Sequence, residues 1–381
     1  MNTKRIGIIM NGVTGRMGTN QHLLRSICAI RDQGGLLGPN GLHLIPEPML
    51  VGRNPDKLSD LANRAHVNTW TTDLDAALEN NDFEIYFDAQ TTDRRPAAVQ
   101  KALAAGKHVY CEKPAALTAH DALALHQLAQ QKKLKTGVVQ DKLWLPGFQK
   151  LDNLLQAGLL GRVLSVRGEF GYWVFEGDRR QSQRPSWNYR KEDGGGIILD
   201  MLCHFSYLLE SLFGPVQTVS CLGATHIPQR VDEQGQAYQC TADDAAYVTL
   251  QLTDGVIAHF NASWCTRVRR DDLLTLQVDG TEGSALATLR RCWQQSYDQT
   301  PHAVWNPDME NPADFLGDWH EIADETDHEN AFKTQWELFL RHVAFDEPYR
   351  WTLREGAVNI LLAEKAMESW QQRRWVDIPQ L

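Results

Sequence analysis

An apolar strand near the amino terminus runs directly into a glycine-rich turn, and this pairing constrains the fold more than any other feature. Arg5–Met10 is predicted to form a buried strand, and Gly12, Gly15 and Gly18 follow it closely. A helix is predicted from about residue 19 to residue 29. Backbone amides at such a turn, together with the positive end of the helix, can hold a dinucleotide pyrophosphate. The pattern therefore predicts a parallel α/β sheet that binds a dinucleotide at its first turn.

The glycines of this turn only partly fit the G-x-G-x-x-G fingerprint. Met10 stands in the first place, while Gly12 and Gly15 take the second and third. The next strand ends at Gly52 and Arg53, where an acidic residue usually binds the adenosine ribose. Arg53 could meet a 2′-phosphate or stack on adenine, so NAD(H) and NADP(H) are both candidates. The turn residues predicted to bind this cofactor are Asn11, Gly12, Val13, Thr14, Gly15, Arg16 and Met17.

Strands and helices continue to alternate to about residue 143. Residues 31–48 contain many Gly and Pro and are predicted to form a loop insertion before the strand Met49–Val51. Polar residues follow the later strands, at the edge where open α/β sheets bind their ligands. We predict that Lys142 contacts substrate and that the following residues contact the cofactor: Arg53, Gln90, Thr91, Glu112, Lys113 and Gln140.

Two further motifs carry groups suited to proton transfer. Cys-Glu-Lys-Pro ends at Pro114 and places Lys113 at a strand end, although most lysines are simply solvated. Pro114 keeps Lys113 extended and could adopt a cis bond. Three glycines from Gly194 leave the backbone open to a ligand and precede Asp200 and His204, four apart on one face of a predicted helix. A carboxylate beside an imidazole can fix its tautomer, although a surface Asp–His pair would look the same.

These three segments together resemble the Gfo/Idh/MocA family of glucose–fructose oxidoreductases and inositol dehydrogenases. Its motifs are an amino-terminal Rossmann turn, Glu-Lys-Pro and Gly-Gly-Gly-x-x-x-Asp-x-x-x-His. The resemblance implies a nicotinamide cofactor, a sugar or cyclitol between two domains, and hydride transfer at a ring carbon that bears a hydroxyl. By motif, Lys113, Asp200 and His204 are the implied catalytic residues, and either Lys113 or His204 could take the hydroxyl proton. The first turn also resembles that of dihydrodipicolinate reductase, a shorter family without the other two motifs.

The second domain is predicted to run from residue 144 to residue 381 and to be rich in strands. Alternating runs predict an open, mainly antiparallel sheet, so the fold class is α/β followed by α+β. A closing helix is predicted at about residues 352–371. One face of the sheet is expected to pair with another subunit in a dimer or tetramer. The predicted strands are Val163–Tyr172, Thr218–Thr225, Ala245–Leu252, Val256–Trp264 and Leu273–Val278.

An aromatic, arginine-rich segment lies between the first of these strands and the three glycines. Aromatic faces suit sugar C–H surfaces, and arginine would capture an anionic substituent. The arginines could equally be solvated, and the aromatics could equally belong to the core. The residues predicted to bind substrate are Lys113, Lys142, Tyr172, Trp173, Trp187, Tyr189, Arg190, Asp200 and His204.

Length and charge narrow the class of protein. The 381 residues suit two domains, and a net charge of −10 argues against nucleic acid or anionic membrane as partner. Neither a transmembrane-length apolar run nor a signal peptide is found, so the cytoplasm is the expected location. Seven cysteines without C-x-x-C indicate neither a disulfide framework nor a zinc site, and no metal is predicted.

Two reactions fit the motifs. A sugar dehydrogenase would release NAD(P)H, with pyranose C3 as the expected position. A redox-neutral glycoside hydrolase would oxidise C3 transiently, eliminate the aglycone, add water and reduce the product again. Anionic glycosides such as sulfoquinovosides are a candidate substrate class for that hydrolase. We favour the dehydrogenase. A cofactor sensor without catalysis is disfavoured because Lys113, Asp200 and His204 are all present.

Overall fold

The computed structural model describes residues 2–171, 177–180, 184–270, 272–324 and 329–381. The strands are β1 (Asn2–Asn11), β2 (Leu36–Leu37), β3 (Leu42–Val51), β4 (Trp70–Thr71), β5 (Phe83–Asp88), β6 (His108–Cys111), β7 (Thr136–Val138), β8 (Val163–Gly171), β9 (Val216–Ala224), β10 (Gln229–Val231), β11 (Ala237–Gln239), β12 (Ala245–Leu252), β13 (Ile257–Ser263), β14 (Leu274–Gly280), β15 (Gly283–Ala287), β16 (Cys292–Ser296), β17 (His320–Glu321) and β18 (Val376–Asp377).

The first helix, α1, is π-helical over Gly18–Cys28 and α-helical over Ala29–Asp32. The other helices are α2 (Pro55–Ala65), α3 (Leu74–Glu79), α4 (Arg95–Ala104), α5 (Ala119–Gln131), α6 (Pro146–Gln156), α7 (Ile197–Leu212), α8 (Ala331–Phe345) and α9 (Leu353–Gln372). The closing helix predicted at about residues 352–371 is α9.

The chain divides into two units. The first contains residues 1–144, 329–361 and 381, and the second contains residues 145–328 and 362–380. The first boundary lies one residue from the predicted one. The prediction that everything after residue 144 belongs to the second domain is wrong, because residues 329–361 return to the first unit.

The sheet of the first unit has the order β2-β3-β1-β5-β6-β7, with β4 beside β3. Its pairs are parallel, except that β2 runs antiparallel to β3. The direction of the strand order reverses at β1, which lies between β3 and β5. In open α/β sheets a ligand binds outside the carboxyl ends of the strands at such a reversal. The glycine turn that follows β1 therefore starts at the expected ligand-binding edge.

Helix α8 explains why the chain returns to the first unit. Its residues Trp336, Phe339 and Leu340 are fully buried in the same apolar core as Ile8 and Phe87 of the sheet. Burying three such side chains stabilises the helix position by several kcal/mol, on the order of 1.5–3 kcal/mol each. This core assigns α8 to the first unit.

The predicted loop over residues 31–48 is partly wrong. Residues 42–48 belong to β3, although Pro46 and Pro48 cannot donate hydrogen bonds within a sheet. They are tolerated because one edge of β3 is paired by β2 only up to Leu44 and by β4 only from Leu50. Between these positions the edge is open, and a missing N–H there costs no ladder hydrogen bond.

The second unit contains an open sheet with the order β17-β16-β15-β14-β8-β13-β12-β9-β18. Its pairs are antiparallel, except that β8 and β13 run parallel. On β12 the residues Val248 and Leu250 are buried, while Tyr247 and Gln251 are exposed. The predicted open, mainly antiparallel sheet with one exposed face is confirmed. Our prediction omits β10, β11 and β15–β18, each of which has five residues or fewer.

All seven cysteines are free thiols, and all but Cys265 are buried. Among the described residues, no cluster of three or more His, Cys, Asp or Glu could hold a metal ion. A search of the same residues finds no helix with the length and hydropathy needed to span a bilayer.

Candidate active site

The three glycines after β1 have three different physical roles. Gly12 has a φ of +79°, and a Cβ there would lie 2.7 Å from the backbone nitrogen of Gln90. A Cβ on Gly18 would lie 2.7 Å from the Cα of Val13, whereas one on Gly15 would meet only the Gly12 carbonyl oxygen, at 3.5 Å. Gly12 therefore makes the tight turn, Gly15 leaves the backbone open, and Gly18 lets the helix pack closely.

This result corrects the fingerprint alignment. Met10 does not replace the first glycine; the series is Gly12, Gly15 and Gly18, with two residues between the first and second glycines instead of one. The open position at Gly15 is where a pyrophosphate can approach the backbone. Thr14 and Arg16 on either side of it are exposed.

A buried network of hydrogen bonds fixes the residues next to the glycine turn. Asn11 Nδ2 donates to Tyr86 Oη at 2.9 Å, and Tyr86 Oη donates to Asp88 Oδ2 at 2.7 Å. Asp88 also accepts from Arg95 Nε at 3.2 Å, and from the backbone N–H and side-chain amide of Gln90 at 3.0 and 2.9 Å. The predicted cofactor residues Asn11 and Gln90 thus have side chains that brace the turn.

Of the other residues predicted to bind cofactor, the side chain of Val13 is fully buried, so Val13 can offer a ligand only its backbone. Met17 is half-buried, and Thr91 and Arg53 are exposed. Arg53 immediately precedes Asn54, whose side chain caps α2 by accepting from the Lys57 N–H at 2.9 Å. The guanidinium therefore follows the carboxyl end of β3, where a ribose is expected.

The Glu-Lys-Pro turn is fixed on both sides. The Lys113 N–H donates to Glu112 Oε2 at 3.0 Å, and Arg95 donates to the Pro114 carbonyl. The Lys113–Pro114 peptide bond is cis, and Lys113 is half-buried. Burial alone would raise the pKa of Glu112, but a hydrogen bond from His22 and the nearby Lys113 and Arg95 charges lower it to about 2. Glu112 is therefore an anionic acceptor.

Gln140 offers a second ligand-binding group in the first unit. It is fully buried, and its backbone N–H donates to Gln335 Oε1 at 2.9 Å. Its side-chain amide has no hydrogen-bond partner among the described residues. A buried amide without partners costs about 1–3 kcal/mol, so a ligand that pairs with it is favoured. The carboxamide of a nicotinamide could pair with this group. Lys142 is half-buried and forms an ion pair with Asp141.

Two of the three glycines before α7 allow close packing within the chain itself. A Cβ on Gly195 would lie 2.4 Å from the Trp187 carbonyl oxygen, and one on Gly196 would lie 2.7 Å from Asp243 Oδ1. Asp243 Oδ2 accepts from the Ile198 N–H at 2.7 Å and so caps α7. Packing within the chain therefore explains the glycines at 195 and 196, and the close approach of a ligand to this backbone stays a prediction.

Helix α7 carries Asp200 and His204, as predicted. The Asp200 carboxylate accepts from Arg184 Nη1 at 2.6 Å, and Arg184 also lies over the Trp264 ring at 4.9 Å. His204 is buried, and its Nδ1 lies 2.6 Å from Tyr207 Oη. Tyr207 is thus a group that orients the imidazole, in addition to Asp200, which is predicted for that role.

The remaining residues predicted to bind substrate differ in exposure. Tyr189 is fully buried beneath the Arg230 guanidinium and beside Trp264, with ring centroids 5.3 Å apart, which places it in the core. Trp187 is 44% exposed, and the Arg190 guanidinium lies over the Tyr238 ring at 4.7 Å. Tyr172 and Trp173 lie outside the described residues.

Four residues that contact the predicted site residues are not predicted from the sequence, namely His22, Arg95, Trp336 and Tyr207. The only local signal for Tyr207 is its position one turn after His204 on the same helix. His22 and Arg95 are a histidine and an arginine on helices that cover the sheet, without any motif around them.

Comparisons with known proteins agree with this arrangement. Residues 8–140 match the family described as "Oxidoreductase family, NAD-binding Rossmann fold", and residues 148–286 match the "GFO/IDH/MocA C-terminal domain". D-xylose dehydrogenase of Paenarthrobacter nicotinovorans is 48% identical over 383 residues, which cover 100% of this chain and 99% of that protein. Levoglucosan dehydrogenase of Pseudarthrobacter phenanthrenivorans is 23% identical over 87% of this chain and 90% of that protein.

Among solved structures, a levoglucosan dehydrogenase complex with NADH and levoglucosan has a TM-score of 0.82 at 19% identity. The match covers 99% of this chain and 100% of that chain. At this identity the likeness shows the fold alone. The two family matches and the full-length relative confirm the predicted family and the predicted nicotinamide cofactor. The chain belongs to the Gfo/Idh/MocA family of oxidoreductases, with an NAD-binding Rossmann domain at its amino terminus.

Proposed function

We propose that the protein is an NAD(P)-dependent sugar dehydrogenase whose first candidate substrate is D-xylose. The observation that carries this proposal is the 48% identity to a D-xylose dehydrogenase along the whole chain. The half-buried Lys113 and the buried His204 are consistent with it, because oxidising an alcohol requires a base and a positive group near the oxygen.

The residues of the first unit fit a nicotinamide dinucleotide. The open backbone at Gly15 suits the pyrophosphate, and the unpaired buried amide of Gln140 suits a polar group such as the carboxamide. When bound, the nicotinamide supplies the acceptor for the hydride. The chain's own residues must then bind the sugar, hold the reacting hydroxyl and move its proton.

We assign the proton to His204 and the stabilisation of the developing alkoxide to Lys113. His204 is held at Nδ1 by Tyr207 on the same helix, which fixes the ring orientation. The Asp200 carboxylate forms an ion pair with Arg184, so the two side chains together add no net charge beside His204 on α7. If Lys113 were the base instead, the pH dependence of kcat would change in Lys113→Ala and not in His204→Ala. The pH profiles of these two variants therefore distinguish the two assignments.

The redox-neutral hydrolase acting on anionic glycosides has less support. The feature that favours it is the arginine-rich segment, and two of its arginines already have partners within the chain. Arg184 pairs with Asp200, and Arg190 lies over the Tyr238 ring. Because the charge of Arg184 is matched by Asp200, this arginine gives little selectivity for a sulfonate or carboxylate. The neutral sugar named for the full-length relative is therefore the first candidate.

The product of the reaction identifies the carbon that is oxidised. Oxidation at pyranose C3, the position that we propose, yields a keto sugar. Oxidation at the free anomeric hydroxyl of an aldose yields a lactone, which hydrolyses to an acid. Levoglucosan lacks a free anomeric hydroxyl, so an enzyme of this fold that oxidises it must act on a secondary ring alcohol.

A panel of aldoses tests the proposal. We expect NAD(P)H formation with D-xylose, followed by absorbance, with kcat/KM at least about 10-fold higher than with hexoses. We expect this difference because the hexoses carry an exocyclic hydroxymethyl group, which the binding site must either accommodate or exclude. Product analysis by ¹³C NMR then distinguishes the keto sugar from the lactone. Absence of turnover with every aldose and cyclitol, despite dinucleotide binding, would reject the proposed function.

Arg53 provides a test of cofactor choice. Replacing it with alanine is expected to weaken NADP(H) binding by about 10-fold and NAD(H) binding by less than about 2-fold, because only NADP carries the 2′-phosphate. Dissociation constants from fluorescence quenching measure both. Arg64→Ala, an exposed arginine in the last turn of α2, is the matched control. Equal losses for both cofactors would indicate stacking on adenine and contradict phosphate binding.

A further inference from the structure

A chain of buried hydrogen bonds ends at the backbone of Lys113. Trp336 Nε1–H donates to His22 Nδ1 at 3.0 Å. His22 Nε2 lies 2.9 Å from Glu112 Oε1, and the Lys113 N–H donates to Glu112 Oε2 at 3.0 Å. The chain links helix α8, helix α1 and the turn after β6, all within the first unit.

The direction of every hydrogen bond in this chain is fixed by the groups themselves. An indole N–H can only donate, so Nδ1 of His22 must be the acceptor. The hydrogen of the neutral imidazole therefore sits on Nε2 and is donated to Glu112. Glu112 receives donors on both oxygens, which favours its anionic form and agrees with its lowered pKa. Trp336 and Glu112 together thus hold His22 as the neutral Nε2–H tautomer.

We propose that His22 and Trp336 are positioning residues for Lys113, and that they act through the carboxylate of Glu112. The proposal rests on the proposed role of Lys113 at the reacting oxygen. Both residues are fully buried, so water cannot replace either hydrogen bond. Loss of one bond would free the Glu112 carboxylate to rotate and release the backbone at which the Lys113 side chain begins.

A simple packing role is the alternative. The His22 ring lies 4.4 Å from the Phe87 ring and 5.1 Å from the Phe332 ring, measured between centroids. Packing alone would not require the indole N–H. Trp336→Phe keeps an aromatic ring and removes that donor, so it separates the two roles. Leu340→Val, a fully buried position on the same helix, is the control for lost packing.

Kinetics of the full-length protein with D-xylose provide the first test. We expect Trp336→Phe to lower kcat by about 10- to 100-fold, since a misplacement of about 1 Å can cost that much. The dissociation constant for NAD should change by less than about 3-fold. In a Lys113→Ala background the same substitution should have almost no further effect on kcat. Leu340→Val should keep a kcat within about 2-fold of wild type.

Nitrogen NMR of His22 provides a readout that needs no turnover. The wild type should show the hydrogen on Nε2, and Trp336→Phe should shift both the imidazole nitrogens and the Lys113 amide. If no sugar is turned over, the proposed function fails while these shifts still decide the hydrogen-bond chain. An Nδ1–H tautomer in the wild type, an unchanged Lys113 amide in Trp336→Phe, or independent kinetic effects of Trp336→Phe and Lys113→Ala would each overturn the proposal.

Discussion

Replacing His204 with alanine is expected to lower kcat by about 10²–10⁴-fold, the usual contribution of a general acid–base group. His204 is buried on α7 and held by Tyr207 at 2.6 Å, so neither water nor a neighbouring residue occupies its position readily. Binding of NAD should stay within about 3-fold of wild type, because the cofactor turn lies in the other unit. Steady-state kinetics and a separate titration with NAD measure the two quantities.

The matched control for this variant is His259→Ala. His259 is exposed on the sheet of the second unit, and its Nδ1 lies 3.1 Å from Thr249 Oγ1. Its loss should leave kcat within about 2-fold of wild type, as is usual for surface positions. A His204→Ala variant with near-normal kcat would reject the role of His204 in proton transfer.

Lys113→Ala is expected to reduce kcat by about 10²–10³-fold, because it removes the positive group that stabilises charge on the reacting oxygen. The backbone around Lys113 is fixed by Glu112 and by the bond from Arg95 to the Pro114 carbonyl, so the turn should survive the substitution. Thermal unfolding should show a midpoint close to that of wild type. Kinetics at saturating NAD and sugar measure the loss.

Lys101→Ala is the control for Lys113→Ala, since Lys101 is an exposed lysine that forms an ion pair with the exposed Asp75. The pH profiles of the two catalytic variants then identify the base. The variant that loses the acidic limb of the kcat profile has lost the proton acceptor. Wild-type kcat in Lys113→Ala would contradict the assignment of Lys113 to the reacting oxygen.

Local patterns in the sequence are sufficient to predict most of the elements that carry the site. Strand β12 alternates apolar and polar residues, so it is predicted to its ends. The first half of β3 is missed because Pro46 and Pro48 normally break strands. Their tolerance depends on an open sheet edge, and strand pairing is not encoded in a local pattern.

The packing of α8 in the first unit is not predicted, for a related reason. The sequence analysis predicts no element over Ala331–Phe345, and apolar residues at helical spacing would in any case not say which sheet a buried face covers. The structure packs Trp336 and Phe339 into the core of the first unit, although they follow the second unit in the chain. Sequential order favoured the simpler division into two contiguous domains.

The site shows the same division between local and distant information. Lys113 and His204 stand in short motifs, so their positions at a strand end and on a helix are predictable. The hydrogen bonds from Trp336 to His22 and from His22 to Glu112 join residues 314 and 90 positions apart. A single sequence gives no signal for such pairs, because the groups meet only after the sheet and its covering helices have packed.

The most direct test of a net sugar dehydrogenase compares NAD reduction with aglycone release. The protein is incubated with D-xylose and, separately, with neutral and anionic glycosides that carry a chromogenic leaving group, first with catalytic and then with stoichiometric NAD in heavy water. We predict one NADH for each D-xylose consumed, and neither aglycone release nor deuterium at C2 of the recovered glycoside. Aglycone release at substoichiometric NAD, with deuterium incorporated at C2, would contradict the account and indicate a redox-neutral hydrolase.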